Sequence, residues 1–202
     1  MARQDRSLPY HHGNLRAALV QTALELLERK GAEAVTLREL AVAAGVSNAA
    51  PYRHFPDRAA LLNAVAAEGY QDLRQRHADA HAEGGTPKVR LRRAMHSFLA
   101  FARERPGLFL LMYNPPVGTI EGDPALQALE AEAYEDLVRA LAACMPRQDE
   151  HTARLRTITL WATLYGHAMV RLRHPLQPVM KAGLDDTQID ELVLDAALAT
   201  PR

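Results

Sequence analysis

The residues best suited to chemistry lie between Val35 and Arg58. Ser47, Asn48, Ala49 and Ala50 follow one another there. Tyr52 and His54 flank them, and Arg58 adds a cation at the next helix start. Small and hydrogen-bonding side chains fit a major groove about 12 Å wide. Hydroxyl, imidazole and guanidinium groups at the margins suit phosphate oxygens. An ordinary helical hairpin in a core needs no such combination, so these types at this spacing point to contact with double-stranded DNA.

Other constellations are weaker. His77 and His81 stand four apart, a spacing that can chelate a metal on a helix. Asp79 falls on a different face and no third ligand is evident, so a solvated helix end is the reading and no metal is expected. Cys144 is the single cysteine, which excludes an intramolecular disulfide and a cysteine-based zinc cage. With only Arg147 near it in sequence, it reads as a small buried thiol. The chain has no nucleophile elbow, no Gly-x4-Gly-Lys phosphate loop and no His-Glu-x-x-His pair, so no catalytic residue and no cofactor is expected. The alternative class is an all-α small-molecule-binding protein or enzyme that does not touch DNA.

The elements that must carry these residues are helical. Hydrophobic residues make up 48% of the 202, yet aromatics only 5%, so Ala and Leu dominate and favour helices. Leu15, Ala18, Leu19, Thr22, Ala23, Leu26 and Leu27 recur at steps of three and four, which predicts a first helix closed by Lys30-Gly31. Thr36 with Glu39 predicts a capping box for a second helix, and Gly45 ends it. Ser47 is expected to cap a third helix through Arg53. Phe55-Pro56-Asp57 stops that helix and caps the next. A long helix from about Arg58 to Ala82, on the order of 40 Å, is expected to join two regions. Pro87, a short apolar segment up to Tyr113, Asp123-Pro124, Asp149 and Asp186 mark the later helices, and Pro175 and Pro178 a loop. No segment alternates with a period of two, so no sheet is expected. No apolar run approaches the ~18 residues needed to span a bilayer, and the start is unlike a signal peptide, which together predict a cytoplasmic protein.

Several spaced features resemble the TetR family of transcriptional regulators: Thr36-Leu37-Arg38-Glu39-Leu40-Ala41, then Ala44-Gly45-Val46-Ser47, then Tyr52-Arg53-His54-Phe55-Pro56-Asp57-Arg58-Ala59-Ala60-Leu61-Leu62. Tyr10-His11-His12-Gly13-Asn14-Leu15-Arg16 and Trp161 with Tyr165-Gly166-His167 are similar to one branch with a Trp-His-Gly type C-terminal domain, here with Gly and His transposed. The resemblance implies an all-α fold of about nine helices. Residues 1–57 would form a three-helix helix-turn-helix domain with a polar arm over 1–13. Residues 58–202 would form a larger ligand-binding and dimerisation domain. It implies that Thr36 caps and contacts a phosphate, that Arg38 reaches phosphate or a base edge, that Asn48, Ala49 and Ala50 face bases, and that Tyr52, His54 and Arg58 grip the backbone. One departure is Pro51, where many relatives carry Leu; its missing N–H is expected to tighten the start of the third helix.

Charge fits dimeric rather than monomeric binding. Residues 1–58 hold eight Lys and Arg against six Asp and Glu, which leaves sixteen against eighteen elsewhere. So mild an excess calls for two copies to neutralise enough phosphates. The resemblance implies a pocket in the second half, for which His96, Phe98, Phe109, Met112, Tyr113, Tyr134, Trp161, Tyr165 and Met169 are the candidates; aromatic and Met lining suits a small hydrophobic effector. A second apolar stripe, Thr159, Ala162, Gly166 and Val170, together with Ile189, Leu192, Val193 and Ala196, is expected to form a two-fold interface. The expected function is a ligand-responsive repressor that binds a palindromic operator as a homodimer.

Overall fold

The computed structural model describes residues 15–115, 123–173 and 176–199. Among the described residues there are nine α-helices and no strand. They are α1 (Leu15–Lys30), α2 (Leu37–Ala44), α3 (Arg58–Ala82), α4 (Pro87–Glu104), α5 (Pro106–Tyr113), α6 (Pro124–Ala143), α7 (Glu150–Arg173), α8 (Pro178–Lys181) and α9 (Asp186–Leu198). The expected arm, residues 1–13, lies outside the described residues.

Local chemistry sets most of the boundaries. Thr36 accepts from the Glu39 backbone N–H at 3.1 Å, Asp57 from Ala60 at 2.8 Å and Asp123 from Ala125 at 2.9 Å. Each hydroxyl or carboxylate satisfies an N–H that has no partner inside its helix. Gly45 ends α2 at φ 66°, a conformation that costs glycine little. The reciprocal capping box forms not at Thr36 but at Asp185 and Gln188, at the start of α9. The segment around Pro178, expected as loop, includes the single turn α8.

The third element departs from expectation. Residues 48–50 form a turn and Pro51–Arg53 a single turn of 3-10 helix. Arg53 N–H bonds the Ala50 carbonyl and His54 N–H bonds the Pro51 carbonyl, both i to i+3. Ser47 caps nothing with its side chain; its backbone carbonyl accepts from Ala50. Pro51 has no N–H to start an α-helical ladder, so the tightening expected of it extends over the whole element.

A single apolar core runs through α1, α2, α3, α4, α5 and the inner faces of α6, α7 and α9. Phe55, Phe101 and Phe109 are among its fully buried side chains. α3 crosses α5 at Gly69, where an added Cβ would stand 2.2 Å from the Met112 sulfur. α5 also meets α1 closely, since a Cβ on Gly107 would stand 3.0 Å from the Leu27 carbonyl oxygen. At that junction Glu28 accepts from the backbone N–H groups of Gly107 (2.9 Å) and Leu108 (3.0 Å). A carboxylate of α1 thus caps the N-terminus of α5, where it also meets the positive end of the helix dipole.

Candidate nucleic-acid interface and adjoining chamber

The turn between α2 and α3 presents its side chains outward. Ser47, Asn48, Ala49, Tyr52 and Arg53 are exposed, Tyr52 by 57%. Pro51 and Phe55 point the other way, into the core, and anchor the turn from beneath. Arg38 is exposed on α2, while Ala50 and His54 are half-buried. Thr36 is half-buried with its hydroxyl engaged in the α2 cap. Beside the turn, Val42 is exposed by 69%, an apolar group on the same side of α2 as Arg38 by helical spacing and one that sequence reasoning missed.

Arg58 is placed differently from expectation. Its Nε donates to the Val35 carbonyl at 2.9 Å and its Nη2 to the Ala32 carbonyl at 2.7 Å. The guanidinium therefore braces the turn before α2 and does not extend toward a backbone phosphate. A planar fork of donors suits two carbonyls at once, and that demand is invisible in a linear motif.

An open chamber of about 470 Å3 lies between α3, α4, α5, α6 and α7. Four of the nine expected pocket residues line it: Phe98, Tyr113, Tyr134 and Trp161. The others do not. Phe109 is fully buried behind Phe98 and Tyr113, with ring centroids 5.5 and 4.9 Å away, and Met112 is buried against Gly69 of α3. Tyr165 stands behind Trp161, stacked on it at 5.0 Å and 2°. Met169 packs half-buried against the core. His96 faces α9, with its Nε2 3.0 Å from Glu191. An aromatic stripe in sequence does not say which of its members meet a void and which meet each other.

The walls that sequence reasoning missed come from α3 and α6. Tyr70, Leu73, Arg74 and His77 form one side, and Gln127, Glu130, Asp136 and Leu137 another. Arg74 is held at 2.6 Å by Glu132 and at 3.4 Å by Asp136. Burial pulls the His77 imidazole below its ordinary pKa in spite of the nearby Asp136 carboxylate. Burial raises the Tyr70 and Tyr113 phenols well above their usual range, and Glu130 adds to the effect, so both remain neutral donors. Cys144, half-buried at the end of α6, has its thiol pushed up by burial.

The stripe expected at an interface is placed as follows. Thr159, Ala162, Val170, Leu192 and Ala196 are exposed; Ile189, Val193 and Gly166 are half-buried. A Cβ on Gly166 would meet nothing within 4 Å. Two larger apolar groups that sequence reasoning passed over, Leu155 and Ile158, are exposed by 52% and 53% on α7. Beneath this face Asp190 is buried. It is held by His167 at 2.7 Å and Arg171 at 2.8 Å from α7, and by Arg103 from α4. No group of three metal-binding side chains occurs among the described residues, and no helix there is long and apolar enough to cross a membrane.

Comparison with known proteins agrees with this architecture at both ends. Residues 19–65 match the profile of bacterial regulatory proteins of the tetR family, and residues 91–195 that of a tetracyclin repressor-like C-terminal domain. The nucleoid occlusion factor SlmA of Vibrio cholerae is 36% identical over 96 residues, 47% of this chain and 49% of that protein. The chain therefore spans about half the length of the curated relatives it matches. The class C tetracycline repressor of Escherichia coli is 49% identical over 51 residues, 25% of this chain and 23% of that one. Among solved structures, a protein of unknown function from Rhodococcus sp. RHA1 superposes with a TM-score of 0.77 at 29% identity, over 95% of each chain. The regulator LfrR of Mycobacterium smegmatis, in complex with proflavine, superposes with a TM-score of 0.63 at 23% identity, over 93% of this chain and 96% of that one. The C-terminal match alone spans more than half of the residues, and with the N-terminal match it shows that this chain belongs to the TetR family of transcriptional regulators.

Proposed function

We propose that the protein is a ligand-responsive, non-enzymatic repressor that binds a palindromic operator as a homodimer in the cytoplasm. Residues 1–57 would serve as the reading domain and 58–202 as the sensing and pairing domain. The observation that carries this reading is the outward face of the turn at 47–53, small and polar at its centre and bearing Tyr52 and Arg53 at its edge. Asn48, Ala49 and Ala50 would face bases. Thr36, Arg38, Ser47, Tyr52, Arg53 and His54 would hold the backbone. Two copies would read half-sites roughly 34–36 Å apart.

The exposed apolar face of α7 and α9 supports pairing of two subunits through a four-helix contact. The chamber supports an effector site, and LfrR with its proflavine offers a precedent for such a site in a protein of this fold. A path from chamber to reader runs through α5. Tyr113 borders the chamber, Met112 packs at Gly69 of α3, and the N-terminus of α5 rests on Glu28 of α1. An effector that favours a displaced α5 would shift α1, and the turn with it.

Selection from a random duplex library with the full chain tests this reading. Enrichment of an inverted repeat whose half-sites lie one helical turn apart is expected. A library that stays random after repeated rounds would overturn it.

A further inference from the structure

The chamber has a neighbour along α3 and α6. A second cavity of about 720 Å3 adjoins it between α3, α4 and α6, and Arg74, His77 and Asp136 line both. The two compartments differ in chemistry. The first is walled by Tyr70, Phe98, Tyr113, Tyr134 and Trp161. The second has Arg74, Arg90, Arg139, His77 and His81 around it, with Asp136 as its one carboxylate.

The cations of the second compartment are not all spoken for. Arg74 is neutralised by Glu132 and Asp136. Arg139 shares that same Asp136 and is 67% exposed. Arg90 donates only to the Gly85 carbonyl, at 2.7 Å, and has no carboxylate partner among the described residues. At this end of α6, Arg90 and Lys88 both pull the Cys144 thiol down against the effect of burial, so the positive field reaches the groove wall. At the junction, burial lowers the pKa of His77, and Arg74 and Asp136 stand beside it with opposite charges.

We propose that the effector is an anionic amphiphile, with its apolar body in the aromatic chamber and a carboxylate or phosphate head in the groove against Arg90 and Arg139. This rests on the reading of the chamber as an effector site. Aromatic walls bury apolar surface whatever the head carries. A cationic head would instead be repelled by Arg90, whose charge no carboxylate offsets among the described residues, and a neutral head would leave Arg90 without a counter-charge.

Trp161 lines the chamber and is the chain's only tryptophan, so its fluorescence reports occupancy. Dodecanoate, dodecyl phosphate, dodecanol and dodecyltrimethylammonium, each below its critical micelle concentration, are titrated into the full protein. At least one anion is expected to bind about tenfold or more tighter than dodecanol and the ammonium, the factor that one charge-assisted contact supplies. The stronger of the two anions identifies the head group. The double variant Arg90→Gln, Arg139→Gln is expected to lose that preference while its affinity for dodecanol stays the same. Equal affinity for all four, tighter binding of the ammonium, or a preference that survives in the double variant would overturn the anionic assignment and leave the chamber standing. Fluorescence unmoved by all four would overturn the chamber reading and the inference together.

Discussion

The turn at 47–53 and the chamber between α3 and α6 are built in opposite ways. The turn is fixed by bonds between near neighbours: Thr36 to Glu39, Asp57 to Ala60, Ala50 to Ser47 and Phe55 to Pro51. Its outward side chains are free because its backbone needs are met locally and Pro51 and Phe55 hold it from below. The chamber is fixed by contacts between residues far apart in sequence. Arg74 reaches Asp136, and Trp161 stands 6.2 Å from Tyr113. A reader of DNA gains from rigid local geometry, because misplacement costs base contacts. A sensor gains from walls on separate helices, because an occupant can then move one wall against another.

The largest expected effect tests the rigidity of the turn. Phe55→Ala removes a fully buried ring and should cost about 3–5 kcal/mol in urea unfolding. Tyr134→Ala, at a half-buried wall beside an existing void, should cost only about 1 kcal/mol. Equal costs would erase the contrast between packed and open regions.

The next effect concerns the junction. Gly107→Ala pushes a Cβ against the Leu27 carbonyl, backbone that has little freedom to yield, and should cost about 1–3 kcal/mol. Glu28→Ala uncovers the first N–H groups of α5 and should cost about 0.5–2 kcal/mol. If α5 carries the signal, Glu28→Ala also weakens effector-driven release of DNA while effector affinity, followed through Trp161, stays near that of the parent. Unchanged release in that variant would remove Glu28 from the path.

For the pairing face, Gly166→Arg places a charge where an added Cβ meets nothing within 4 Å, so the fold should persist. Sedimentation is expected to show a 22.3 kDa species in place of twice that mass. A dimer that survives would reject this face.

The smallest expected effect is one of pH. His77 binds its proton less readily in the folded chain than in the unfolded one, whose ordinary value is 6.5. Below that value the unfolded state takes up the proton first, so stability falls as the pH drops through 6.5 toward the folded value. Asp136 opposes the shift and Arg74 stands beside both. Urea midpoints at pH 7.5 and 5.5 should differ less for His77→Gln than for the parent. An equal difference would mean that other groups set the acid response.

The same contrast explains what the sequence discloses. Helix starts at Thr36, Asp57, Asp123 and Asp149 are legible because a cap is a relation between i and i+2 or i+3. The positive φ of Gly45 and the disturbance at Pro51 are legible for the same reason, although the loss of the whole α-helical ladder after Ser47 exceeds what one missing N–H suggests. Arg58 fits a motif but serves two carbonyls more than twenty residues upstream. His96 turns to Glu191, ninety-five residues away, and so leaves the chamber. The α6 wall stays hidden because Gln127, Glu130 and Asp136 read as a solvated helix face until α3 is set opposite them. Leu155 and Ile158 stay hidden because each continues an apolar pattern that the core also uses.

The central claim is that the turn at 47–53 reads DNA, and fluorescence anisotropy with a duplex from upstream of the protein's own coding region tests it most directly. The parent is expected to bind with an affinity that falls steeply as salt rises, through release of counterions from the phosphates. The Tyr52→Ala, Arg53→Ala double variant, with both changes at exposed positions and the fold retained by circular dichroism, is expected to bind at least about tenfold more weakly with a shallower salt slope. Affinity and slope equal to those of the parent would contradict the account.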